Sequence, residues 1–93
     1  MKITPIQSIR EDFEAMDRNI LILLHKRMEL SKQMSYLKKQ NQLPVIDLNQ
    51  WNRQLENRLM ENEGFGVDPN FLTSIFNLIH EESIRIQNQE HNK

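Results

Sequence analysis

Residues 5–40 read PIQSIREDFEAMDRNILILLHKRMELSKQMSYLKKQ, and this stretch decides the architecture. Ile6, Ile9, Phe13, Met16, Ile20, Leu23, Arg27, Leu30, Met34 and Leu37 recur at alternating steps of three and four. Nine of the ten are apolar, a sustained period near 3.5 residues that only an α-helix places on one side. Thr4 followed by Pro5 is an N-cap with proline at the first helical position, and Gln7 completes a capping-box spacing. A helix of this length is about 54 Å long at 1.5 Å per residue. A compact chain of this size is only about 32 Å across. No internal Gly or Pro provides a bend. Much of the apolar stripe therefore needs a second chain, and a symmetric dimer is the commonest solution.

Working outward, Asp47 with Gln50 repeats the capping spacing, and Asp68-Pro69 follows the Glu63-Gly64-Phe65-Gly66 break. The expected fold class is all-α: three helices at about 5–40, 48–63 and 69–89 within a single domain over residues 1–93. At 93 residues the chain has room for one core. Hydrophobic residues at 38% and charged residues at 27% fit a soluble globular protein. The net charge of -1 argues against nucleic-acid or membrane-surface binding, both of which favour a basic excess. The segment Met1-Lys2-Ile3-Thr4-Pro5 lacks a signal peptide's apolar run, and the run from Ile20 to Leu24 is too short to cross a bilayer. With no cysteine, a cytoplasmic location is expected, without disulfide or thiolate chemistry. His25, His80 and His91 share no metal-ligand spacing, so no metal is expected.

Charges in an apolar stripe are the functional signal. Arg27 interrupts the first helix's stripe; it either fixes register, snorkels outward, or meets an anionic ligand. Lys38 projects from nearly the same side three turns later. Arg10 lies about 42 Å from Lys38 along the helix, so one small ligand can meet both only if Arg10 comes from the other subunit. In the third helix Leu72, Phe76, Ile79, Ser83 and Ile86 form a stripe with one polar member, Ser83, and Gln87 stands one turn beyond it. These two side chains either hydrogen-bond a ligand or bond to backbone and water.

The same residues resemble the all-helical class of chorismate mutases. The pattern runs through Ile9-Arg10, Met16-Asp17, Leu23-Leu24-His25-Lys26-Arg27 and Lys38, then Leu43-Pro44-Val45-Ile46-Asp47, and ends in the segment from Ile75 to Gln87. It covers about residues 6–89. The resemblance implies an intertwined homodimer with two sites built from both chains. It also implies rearrangement of chorismate, a dianion, to prephenate in aromatic amino acid biosynthesis, without a cofactor. Carried over, Arg27 and Arg10 of the partner subunit clamp the substrate carboxylates, Lys38 and Gln87 donate to the ether oxygen, and Ser83 supports a carboxylate. Asp47 lies where the family contacts the substrate hydroxyl through backbone, although it also suits an N-cap.

One place departs from the family. Gln50 and Trp51 stand where an Arg-Glu pair is usual. Gln50 fits a capping box with Asp47, but Trp51 offers only a donor where a carboxylate acceptor belongs. Arg53 and Glu56 could replace the pair only if the second helix were rotated or shifted. Three readings follow: a chorismate mutase, fast or slow; a relative acting on 4-amino-4-deoxychorismate or as an isochorismate pyruvate-lyase; or a non-catalytic dimeric binding module.

Overall fold

A computed structural model describes residues 4–93 and contains three α-helices: α1 at Pro5–Gln40, α2 at Leu48–Glu61 and α3 at Pro69–His91. Met1 to Ile3, part of the segment read for a leader, lie outside the described residues. Each helix begins on the side chain that the sequence nominates. Thr4 Oγ1 accepts from the Gln7 amide at 3.1 Å, Asp47 from Gln50 at 3.1 Å, and Asp68 from Phe71 at 2.9 Å. Pro5 and Pro69 then sit in first turns, where a missing N–H costs nothing.

The ends are as local in origin. α1 stops where Gln42 takes a left-handed φ of 56° and the Leu43 amide returns to Lys38 O at 2.8 Å. α2 ends at Glu61 rather than 63, and Asn62–Gly64 tighten into a 3₁₀ turn. Asn62, 8% exposed, clips the following loop by donating to Val67 O at 2.7 Å and accepting from Val67 N at 3.0 Å. Gly66 carries the positive φ, 72°, that lets the chain reach Asp68. α3 runs two residues past the expected 89.

α1 is one uninterrupted helix of 36 residues that packs along α3, with α2 laid against α3. The chain measures 59 × 30 × 15 Å over its described residues, with a radius of gyration of 17.3 Å against about 12 Å for a compact chain of this length. The apolar stripe of α1 is not the face that meets α3. Ile6, Ile9, Phe13, Met16, Ile20, Leu23, Leu30, Met34 and Leu37 are all exposed. The inner face of α1 instead runs through Leu24, Arg27, Met28, Ser31, Ser35 and Lys38. Ser31 and Ser35 are its most buried members, and their short side chains let the two helices approach closely. On α3 the expected stripe does face inward, with Ser83 and Ile86 buried and Leu72, Phe76 and Ile79 half-buried. Buried hydrophobic side chains among the described residues are Val45, Trp51 and Ile86. That is a thin core for a chain of this length.

Candidate active site

Where α1 crosses α3, a chain of polar side chains joins the two helices. Lys38, on the last turn of α1, sends its Nζ to Val45 O at 2.6 Å and to Gln87 Oε1 at 3.1 Å. Gln87 Nε2 donates to Ser83 Oγ at 3.1 Å. Ser83 Oγ lies 2.5 Å from Ser31 Oγ, and Ser31 donates to Arg27 O at 3.2 Å. A Ser31 proton given to Arg27 O leaves Ser83 as the donor to Ser31, and a Ser31 proton given to Ser83 reverses that bond. Ser35, with no exposed surface, donates to Gln87 O at 2.7 Å and pins α3 from the other side.

The donor count has a chemical consequence. An ammonium has three protons and a carboxamide nitrogen two. Lys38 uses two and Gln87 one, so each retains one donor hydrogen while the framework holds both groups rigidly. Rigid donors are what stabilise charge developing on a ligand oxygen.

A cleft of about 550 Å³ is lined by Arg27, Trp51, Gln54, Arg58, Glu61 and Phe76; Lys38, Ser83 and Gln87 are not in its lining, and Arg27, whose carbonyl accepts from Ser31, is the residue it shares with the network. Its size suits a small organic molecule. Trp51, 9% exposed, stacks face to face on His80, with ring centroids 4.0 Å apart and planes 7° from parallel. Burial, and then the charges of Arg27 and Lys38, hold the His80 pKa below its ordinary value against a weaker opposing pull from Glu81. The imidazole is thereby favoured in its neutral form.

The structure brings Arg27 and Trp51 to the cleft, and Lys38, Gln87 and Ser83 to the adjoining network. Asp47 is the α2 N-cap. Gln50 is exposed and accepts from Arg53 Nη2 at 2.7 Å, so the cap rests on its backbone amide and its side chain turns away. Arg10 is exposed on the first turns of α1, about 25 Å from Arg27 along the helix axis. Arg53 and Glu56 are also exposed, and neither lines the cleft. Sequence reading overlooked Ser31, Ser35, Gln54 and Arg58, and set His80 aside for want of a metal-ligand spacing. For Gln54 and Arg58 the signal was available, since steps of three and seven from Trp51 share one helical face. Among the described residues, no cluster of His, Asp or Glu side chains is placed to hold a metal, and no helix is long and apolar enough to cross a membrane.

The chorismate mutase type II family matches residues 9–88. The chain belongs to this family. It is 30% identical over 83 residues to the bifunctional chorismate mutase/prephenate dehydratase of Escherichia coli K12, an alignment covering 89% of this chain and 22% of that protein. The same-named protein of Buchnera aphidicola subsp. Schizaphis graminum is 31% identical over 86 residues, covering 92% and 22%. The T-protein of Haemophilus influenzae is 26% identical over 84 residues, covering 90% and 22%. The chain thus spans about a fifth of the length of these curated relatives. Its all-helical architecture accords with the chorismate mutase type II assignment.

Proposed function

We propose that the chain is a single chorismate mutase domain that works as a homodimer, rearranging chorismate to prephenate without a cofactor. In that reaction one ether C–O bond breaks as one C–C bond forms within the same molecule. No net proton transfer is needed, so the protein's task is to fold a dianion into a reactive conformer and stabilise charge on the departing oxygen. The observation that carries the reading is the Lys38–Gln87 pair: two fixed donors, each with a hydrogen to spare, joined through Ser83 and Ser31 to Arg27, which lines the cleft.

In this reading Arg27 holds one substrate carboxylate, and Arg10 of the partner subunit the other. A guanidinium suits both tasks because its planar fork matches a carboxylate. Lys38 and Gln87 aim their remaining hydrogens at the ether oxygen, and Ser83 keeps the Gln87 amide oriented. Asp47 offers backbone to the ring hydroxyl. The exposed apolar stripe from Ile6 to Leu37 supports the dimer: it is too extensive for a solvated helix face, and the protomer's own core is thin.

Trp51 favours a second reading. It lies flat on His80 where the family's acceptor stands, so a substrate with an amino group or a relocated hydroxyl is the alternative. The test supplies purified protein with chorismate, isochorismate and 4-amino-4-deoxychorismate separately. The proposal expects prephenate from chorismate, and its loss in Arg27→Ala with the dimer intact. Turnover of only one of the other two compounds would select the second reading. No turnover of any, with Arg27→Ala altering only association, would mark a binding module.

A further inference from the structure

The cleft contains an ion pair that the catalytic reading does not use. Arg58 and Glu61, one turn apart near the end of α2, both line it, and Arg58 Nη2 lies 2.8 Å from Glu61 Oε1. The pair is solvent-exposed, with side chains 41% and 60% accessible, and such pairs are weak. Yet Arg58 Nε is itself shut off from solvent and has no hydrogen-bond partner among the described residues. The guanidinium is therefore held by a loosely bound carboxylate in an orientation that leaves one of its own N–H groups unmet. Arg58 also shares its helical face with Trp51, so it flanks the space that Arg27 enters from α1.

We propose that Arg58 is a second carboxylate-binding residue of this cleft, and that Glu61 is a resident carboxylate which the ligand displaces. The inference rests on reading the cleft as the anion site and adds the residue that completes it from α2. Gln50 has no positive charge and faces away, so the cation that α2 contributes comes two turns later, at Arg58. When an anion enters, the guanidinium exchanges Glu61 for the ligand carboxylate and turns its buried N–H toward an acceptor. The pair thus selects for anions able to outcompete an attached carboxylate.

The two partners should respond with opposite signs. Arg58→Ala is expected to raise KM for chorismate about tenfold or more with a smaller change in kcat, because a charge-assisted contact to ground state and transition state alike is lost. Glu61→Gln is expected to lower KM severalfold, since the competing carboxylate is gone. Arg58→Lys, which keeps the charge without the fork, should fall between wild type and Arg58→Ala. The chain's single tryptophan, Trp51, lines the cleft and supplies a readout independent of turnover: fluorescence titration with cyclohexane-1,3-dicarboxylate, an unreactive dianion. The same order of affinities is expected there, with circular dichroism confirming that each variant is folded. If Arg27→Ala weakens binding while Arg58→Ala and Glu61→Gln leave both KM and the titration unchanged, the role of Arg58 is refuted and the anion site stands. If wild-type protein responds to neither anion, the role of Arg58 and the reading beneath it fail together.

Discussion

Replacing Lys38 with methionine removes a charge from the centre of the network while keeping the length of the side chain. The ammonium holds Val45 O at 2.6 Å and Gln87 Oε1 at 3.1 Å, tying the α1–α2 loop and α3 to the end of α1. Hydrogen bonds from a charged donor contribute about 1.5–3 kcal/mol each. The two share one donor group and are not additive, so Lys38→Met should destabilise the protein by about 2–4 kcal/mol. For a domain of this size that corresponds to a fall in Tm of roughly 8 °C or more. Thermal and urea unfolding should be compared at one fixed protein concentration, because the midpoint of the proposed dimer would depend on it. The urea m-value should stay constant, since little surface changes hands. On the proposed mechanism, prephenate formation should fall by about 10²–10³ under conditions where the variant is fully folded. A variant as stable as wild type would refute the assigned bonding, and a stable variant with undiminished turnover would refute the role of the ammonium.

Acid should weaken the fold through His80. Its pKa is lowered in the folded state, so the unfolded chain takes up the proton first; this contribution is complete above about pH 6.5 and is lost as pH falls through the folded value. His80→Gln should flatten that part of the stability profile, as followed by urea midpoints between pH 5 and 8. Ser35→Leu puts a branched side chain where α1 and α3 touch, and should cost about 1–3 kcal/mol or more and reduce turnover by displacing Gln87, measured by unfolding and initial rates. Asn62→Ala breaks both bonds to Val67 and should cost about 1–3 kcal/mol in the same unfolding assay, with kcat nearly unchanged because the clip lies outside the proposed chemistry.

The helices were legible because their start signals are local. Thr4-Pro5, Asp47 and Asp68-Pro69 act within one turn, and no distant contact is needed to interpret them. The inner face of α1 was harder. Periodicity counts apolar residues and so selects the Ile6–Leu37 stripe, whereas α1 meets α3 through serines whose value lies in their small size and hydroxyl. Ser31 with Ser83, and Ser35 with Gln87 O, are pairs 52 residues apart, and only the packed helices disclose them. Arg27, Lys38, Ser83 and Gln87 stand out as polar residues out of place; in the structure Lys38, Gln87 and Ser83 share one network, which reaches Arg27 only at its backbone carbonyl. Arg58 did not stand out, because nearer in sequence to Gln50 and Trp51 the charged residues of α2 are Arg53 and Glu56. Those residues are rotated away from Trp51, and the face that Trp51 occupies returns at Gln54 and Arg58.

The central claim is that each site takes Arg27 from one chain and Arg10 from another, and mixing two inactive variants tests it most directly. Arg10→Ala and Arg27→Ala homodimers should each be nearly inactive. Unfolded together in equal amounts and refolded, half of the dimers should be mixed, and each of these should carry one site with both arginines intact. Recovery of about a quarter of wild-type activity is the predicted result. If both arginines served a site within one chain, every mixed dimer would still lack one of them at each site, and the absence of any recovery would contradict the account.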